Sequence, residues 1–380
     1  MGIFLDHNAT TPLDPRVLDA MLPWLRGVHG NPSSVHRYGR EARTALDKAR
    51  AQVAALVNAQ PAQVVFTGGG TEADNLALRG VCHGKPAGKL LVSATEHAAV
   101  LETAEALAAQ SWQVEKIPVD GQGRIDPGTL EKLLDKDVRL VSVMLANNET
   151  GVIQDVKSVA EPVHQFSALM HTDAIQAAGK MPMDFATLGA DLMTLSAHKL
   201  NGPRGVGALI LNRRVDLMPL VTGGGQEQGL RGGTENLAGI IGFGHAAELA
   251  YAELESRVAH MHTLRDQLET GLKRMPGIRI FAEQAQRLPN TVQIGVAGFD
   301  GEMMVMELDK HGIAVSSGSA CHSGSGQPSH VLLAMGVDAA SARTAVRISL
   351  GMENTKEDVQ VLLSAFATIT SKRTGAVALA

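Results

Sequence analysis

The sequence predicts an α/β fold built on a mainly parallel sheet, from two patterns: short continuous apolar runs of strand length, and longer helix-spaced stretches that alternate with them. The runs cover residues 64–66, 90–92, 140–145, 168–170, 192–195 and 208–211. Apolar at successive positions, they suit strands covered on both faces. The stretches 72–81, 97–109 and 155–166 are each long enough to be a crossover helix. Before the first run, 15–26 and 34–56 read as two helices, the second entered through Asn31-Pro32-Ser33-Ser34. Beyond Gly233, one long helical stretch, 236–274, leads to Pro276-Gly277 and then to a different rhythm of short strands and helices. A domain boundary is expected near residue 250.

At 380 residues, with 44% hydrophobic and 19% charged side chains, the chain can fill more than one core. Lys+Arg 34 against Asp+Glu 39 leaves a net charge of -5. No cationic surplus exists to neutralise a phosphate backbone, so nucleic acid is not expected as the main partner. The two cysteines, Cys82 and Cys321, make no disulfide framework and no Cys-x-x-Cys pair, which fits a reducing compartment. Asp6 interrupts the N-terminus before any signal-length apolar run, and the longest apolar region, 236–252, carries His245 and Glu248. A soluble, cytoplasmic protein is expected. Aromatic residues make up 3% while glycines number 40, which favours tight turns over stacking surfaces.

Gly68-Gly69-Gly70-Thr71-Glu72-Ala73 follows a strand and opens a helix, so backbone N–H groups and a positive helix end form a prospective anion site. The same residues satisfy G-x-G-x-x-A, making an NAD-dependent dehydrogenase one rival and a mere tight turn another. Against the dehydrogenase, helical sequence precedes this strand, and the nearest strand-end acid, Glu96, comes late. In Ser196-Ala197-His198-Lys199 a lysine stands just beyond a buried strand, where partial desolvation favours a Schiff-base former. In His171-Thr172-Asp173-Ala174-Ile175-Gln176 another apolar run ends in an acid with an amide three residues on. A pyridine cofactor needs these types: a carboxylate for the ring nitrogen, an amide for the ring hydroxyl, a lysine for the aldehyde. Taken singly, Lys199 reads as a surface lysine and Asp173 as a helix cap or structural ion pair.

His97 stands immediately after a strand, where ligands collect in doubly wound folds. It suits proton exchange over a cofactor ring, or equally the start of a helix. Asn147-Asn148-Glu149-Thr150-Gly151 is a strand-end amide cluster suited to holding a carboxylate, or a satisfied turn. Cys321 lies within residues 316–330, a run of small residues with almost nothing to bury, and a thiol there beside His322 suits a nucleophile. Cys82 reads as a small core residue. A metal held by Cys321, His322 and His330 competes, though the spacing matches no common site. No Gly-x-Ser-x-Gly elbow supports a serine hydrolase.

Taken together, Leu5-Asp6-His7-Asn8-Ala9-Thr10-Thr11-Pro12, Gly30-Asn31-Pro32-Ser33-Ser34-Val35-His36, Asn147-Asn148-Glu149-Thr150-Gly151, His171-Thr172-Asp173-Ala174-Ile175-Gln176, Ser196-Ala197-His198-Lys199 and Ser317-Gly318-Ser319-Ala320-Cys321 closely resemble the pyridoxal-phosphate-dependent cysteine desulfurases of the NifS/IscS type, first group. The resemblance runs from residue 3 to about residue 370, in the family's order. It implies the α/β architecture of fold type I, class V aminotransferase-like enzymes. A large pyridoxal-phosphate-binding domain, 16–249, would carry a mainly parallel, seven-stranded type of sheet flanked by helices. A smaller α+β domain would combine 1–15 with 250–380, in an obligate homodimer.

The resemblance further implies that Lys199 carries pyridoxal 5'-phosphate, Asp173 pairs with the pyridine nitrogen, Gln176 bonds the ring hydroxyl and His97 stacks on the ring. Gly70, Thr71, Ser196 and His198 would hold the phosphate, and Thr234 would reach the phosphate bound in a second copy. Asn148, Asn31 and Arg347 would bind the substrate, Arg347 as a bidentate fork for its carboxylate. L-cysteine would become L-alanine, with the sulfur passing as a persulfide on Cys321 to an iron–sulfur scaffold or sulfur-relay protein; a Gly/Ser-rich loop suits such a transfer. His322 stands where the family commonly has threonine, and the tail after Gly351 lacks a clear match to the extension through which some relatives bind their scaffold. Two other readings stand beside this one. A selenocysteine lyase or other class V aminotransferase-like enzyme would need Lys199 and not Cys321, and a non-catalytic sulfur carrier would need only Cys321.

Overall fold

The computed structural model describes residues 2–317 and 327–377, with side chains up to residue 371. Cys321 and His322 lie outside the described residues. Seven strands form the larger sheet in the order Val64–Thr67, Gly207–Leu211, Leu192–Ser196, Leu169–Asp173, Val138–Ser142, Lys89–Ser93, Gln113–Ile117. Pairings from Leu192–Ser196 outward to Gln113–Ile117 are parallel, whereas Gly207–Leu211 runs antiparallel to both of its neighbours. All six apolar runs of the sequence become strands here. The seventh, Gln113–Ile117, carries polar residues at three of five positions and sits at the sheet edge, half exposed, which is why no apolar run marks it.

Alternate residues of these strands enter opposite cores. Phe66, Met193, Ala208 and Ile210 join Leu46, Val53, Phe243 and Ala247 on one face, while Val65, Leu192 and Leu209 join Leu76, Val81, Val100 and Leu107 on the other. The first face is covered by helices Arg37–Leu56 and Leu237–Ala252, the second by Gly70–Cys82 and Ala98–Ala108. Gly244 makes the first covering possible. A Cβ there would lie 2.6 Å from the Ala49 backbone, so only glycine lets the two helices approach this closely.

The stretch expected as one helix over 236–274 is two, Leu237–Ala252 and Leu254–Leu272. The chain bends at Glu253, whose carboxylate receives Arg16 and Arg257. Residues of the second helix pack in a separate apolar cluster with Ile294, Ile348 and Phe366. That cluster lies on a four-stranded antiparallel sheet, ordered Ser316–Ser317, Ala345–Ser349, Thr291–Val296, Ile278–Ile280. Leu5 belongs to the same cluster, and strand Ile3–Phe4 pairs in parallel with Ile313–Ala314. No helix among the described residues is long and apolar enough to cross a membrane.

Strand Val64–Thr67 leads directly into the Gly68–Gly70 turn, so the way its free edge is held matters for the site. Glu227 holds it: its buried carboxylate accepts the Phe66 N–H at 2.8 Å and grips both ends of the Arg50 guanidinium at 2.7 Å. Arg50 in turn lies 4.8 Å above the Phe66 ring. Substituting Glu227→Ala strands a largely buried guanidinium and an unpaired N–H. The expected loss is about 3 kcal/mol of folding stability, seen as a lower urea midpoint. An unchanged midpoint would show that the edge is held by other contacts.

Candidate active site

The parallel strands ending at Ser93, Asp173 and Ser196 deliver His97, Gln176 and Lys199 to one place, the carboxyl edge of the sheet, where open α/β sheets bind ligands. Gly70, Thr71, His97, Asn148, Asp173, Gln176, Ser196, His198 and Lys199 all line one cleft of ≈ 90 Å³. On one side it opens into a recess of ≈ 510 Å³ walled by Thr10, the 68–71 turn and Arg204. On the other, past His97 and Asn148, it meets a vestibule of ≈ 520 Å³ bordered by Leu101, Gln327, Ser329 and His330.

Lys199 ends a single tight turn, Ala197–Lys199, immediately after its strand. Its ammonium donates to the carbonyls of Asn8 and Ala9. The N-terminal segment is sewn to this turn. Both the N–H and the hydroxyl of Thr11 donate to the His198 carbonyl at 2.9 Å, and the Thr11 hydroxyl accepts the Asn201 N–H at 2.8 Å. Asn201 takes a left-handed conformation, φ 64°, to close the turn.

Asp173 is buried, and burial raises its carboxyl to about 6 against the opposing pull of the Ile175 N–H and the Lys199 charge. A further cation or donor beside it would favour the charged form. Gln176 donates its Nε2–H to the Asn8 carbonyl at 3.0 Å, and its buried Oε1 has no partner among the described residues. The buried Ser196 hydroxyl likewise has none among them. Burial, with Lys199, Arg204 and Lys180 nearby, pushes His198 down to about 4, so its imidazole is neutral at working pH. His97 starts a helix, as one reading of its position expected, and also borders the cleft. It caps helix Ala98–Ala108, its Nδ1 accepting the Ala99 N–H at 3.1 Å, and it walls the cleft. That acceptor role puts the ring proton on Nε2.

Arg347 lies just behind the cleft on strand Ala345–Ser349, donating to the Asn148 carbonyl at 3.1 Å and to Asp6 at 2.7 Å, and its buried Nε has no partner among the described residues. Asn31 and Thr234 are exposed, and neither lines the cleft of a single chain. Cys321 falls outside the described residues. His330, one leg of the metal alternative, meets the Glu96 carbonyl through Nε2 at 2.9 Å. For the 68–73 turn, the dinucleotide alternative fails on topology. Its strand is an antiparallel edge strand, whereas a dinucleotide turn leaves a central parallel one.

The residues present fit pyridoxal phosphate. An open helix N-terminus beside the orphaned Ser196 hydroxyl suits a phosphate, the orphaned Gln176 oxygen a ring hydroxyl, and the acid–lysine pair a protonated pyridine bearing an aldehyde. That helix start is closely packed: a Cβ on Gly70 would meet the tip of the Ile175 side chain at 2.2 Å.

Sequence reasoning missed four residues of this site. Asn8 acts through its main-chain carbonyl, which no motif reveals. Asp74, Glu96 and Lys180 are charged side chains in apolar surroundings, all buried. Burial and the charge of Asp173 hold both Asp74 and Glu96 well above the usual carboxylate range. An acid within the apolar pattern of helix Gly70–Cys82 was the available signal for Asp74.

Over residues 3–362 the chain matches the family described as aminotransferase class-V. It is 41% identical over 373 residues to cysteine desulfurase IscS of Dictyoglomus turgidum, spanning 97% of this chain and 95% of that protein. A solved NifS-like protein aligns with a TM-score of 0.92 at 39% identity, covering 98% of this chain and 100% of the other. A structure of SspA in complex with cysteine aligns with a TM-score of 0.82 at 31% identity, covering 93% and 100%. The chain therefore belongs to the aminotransferase class-V family, among the pyridoxal-phosphate-dependent cysteine desulfurases of the NifS/IscS type.

Proposed function

We propose that this cleft takes sulfur from L-cysteine, releasing L-alanine and leaving the sulfur as a persulfide on Cys321. The observation that carries this reading is the convergence of Lys199 and Asp173 on one cleft that continues, past His97 and Asn148, to Gln327 and Ser329, close in sequence to Cys321. Pyridoxal phosphate, when bound, supplies an electron sink for the carbanion formed at the substrate Cα.

Gly70, Thr71, Ser196 and a neutral His198 would hold the phosphate, Asp173 would face the ring nitrogen, Gln176 the ring hydroxyl and His97 the ring. Lys199 would hold the aldehyde and supply an amine able to take the Cα proton. Asn148 and Arg347 receive the substrate carboxylate, the Arg347 Nε supplying a donor that no described residue engages. The Cys321 thiolate then attacks the substrate sulfur: an S–S bond forms, the C–S bond breaks, and its electron pair returns to the substrate carbon for protonation. Asn31 and Thr234, exposed in the single chain, are assigned to contacts completed in a homodimer. The 16–249 segment acts as the cofactor domain and 1–15 with 250–380 as the smaller one. An iron–sulfur scaffold or sulfur-relay protein in the cytoplasm is the proposed acceptor.

Cys321→Ala is expected to keep the visible absorption of the bound cofactor while alanine formation from cysteine falls more than about a thousandfold. Lys199→Ala is expected to lose both, and catalytic persulfide formation without Lys199 would contradict the reading. Arg347→Lys keeps the charge and loses the fork. A rise of about tenfold in KM for cysteine, larger than any fall in kcat, is expected from steady-state kinetics. An unchanged KM would place the carboxylate elsewhere.

A further inference from the structure

Beneath the cleft lies a second lysine that the mechanism above does not use. Lys180 is 5% exposed, and its ammonium donates to the carbonyl of Gln176 at 3.1 Å and to that of Lys199 at 3.5 Å. Among the described residues no carboxylate lies within ion-pair distance of it. Gly179, at φ 71°, turns the chain so that Lys180 points inward, where a Cβ on Gly179 would press on Ala250. The charged and titratable groups facing Lys180 are Lys199, His198 and His7, with Asp173 and Arg204 acting on them in turn.

A buried ammonium with only neutral acceptors is costly, and a methionine would fill the same space without that cost. Burial and the Lys199 charge bring Lys180 down to about 7. Both imidazoles are already held neutral, at about 4. Lys180 is therefore near its midpoint at neutral pH, and a charge on either amine disfavours a charge on the other.

We propose that Lys180 is a positioning residue for Lys199: its ammonium ties the Gln176 and Lys199 backbones together and, as a cation beside it, disfavours a proton on the Lys199 amine. A neighbouring cation is a known way to activate a Schiff-base lysine. The proposal rests on the reading that Lys199 carries the cofactor.

The test is a pH titration of the cofactor absorption band in full-length holoenzyme, comparing wild type, Lys180→Met and Lys180→Arg, with thermal melting to establish that each variant is folded. Removing the cation raises the pH at which the Lys199 nitrogen loses its proton. The Met variant's midpoint is expected to move up on the order of one pH unit, while the Arg variant, permanently charged, does not rise. A folded Met variant with an unmoved midpoint, even one that melts earlier, makes Lys180 a structural bridge and overturns the proposal. A second measurement needs no variant: uptake of pyridoxal phosphate by the stripped wild-type chain, followed against pH. Uptake that rises well below the ordinary lysine range near 10.4 supports the proposal, and uptake that rises only within that range overturns it. If borohydride fixes no cofactor to Lys199 of wild type, the underlying reading fails instead.

Discussion

Everything at the cleft depends on where Asn8 is held. Its carbonyl accepts from both Lys199 and Gln176, so two residues on different strand ends are referenced to one atom. The Asn8 side chain in turn donates to the Thr291 hydroxyl at 2.9 Å and the Asn148 carbonyl at 3.1 Å, and accepts from Asn290 at 3.0 Å. Its N–H donates to the Ser349 hydroxyl at 2.9 Å. One residue, 1% exposed, thus joins the edge of the seven-stranded sheet to the four-stranded one. The neighbouring His7 packs so closely on Gly351 that a Cβ there would sit 2.1 Å from its ring. The segment before the first helix is a structural roof, and the lysine beneath it has little freedom to be elsewhere.

The second constraint is electrostatic. Asp74, Glu96 and Asp173 are buried together, and burial alone disfavours three negative charges in that volume. Asp173 is the one with a cation near, and it is the one best placed to stay ionised. Burial and the charge of Asp173 disfavour ionisation of its two companions, Asp74 beside His171 at 3.6 Å and Glu96 against the Met144 N–H. Opposite them stand two amines, Lys180 and Lys199, each disfavouring a charge on the other. The site therefore sets Asp173 against two amines that compete for charge. Arg347 repeats the pattern further out, its charge balanced by Asp6.

Much of this was legible in the sequence because it follows from local rules. Six apolar runs became six buried strands, and helix Pro15–Arg26 was readable from its proline and its apolar spacing. Strand-end positions of His97, Asp173 and Lys199 put them in one cleft once the sheet was parallel. What stayed hidden depends on contacts distant in sequence. The polar edge strand Gln113–Ile117 owes its conformation to pairing with Lys89–Ser93, not to an apolar run of its own. The break at Glu253 carries no proline or glycine, and it occurs where the two halves of one apolar stretch enter different cores. Asn8 works through a carbonyl, and Lys180 looks like any lysine after a glycine until its burial is seen.

The most direct test of the central claim, that this cleft feeds sulfur to one thiol, is intact-protein and peptide mass spectrometry of the holoenzyme after one equivalent of L-cysteine without reductant. The account predicts one added sulfur atom on the peptide bearing Cys321, matched by one alanine. Cys82, buried in the core with its thiol pushed up to about 12, should stay unmodified. Alanine released with no sulfur on Cys321, or sulfur found on Cys82, would contradict it.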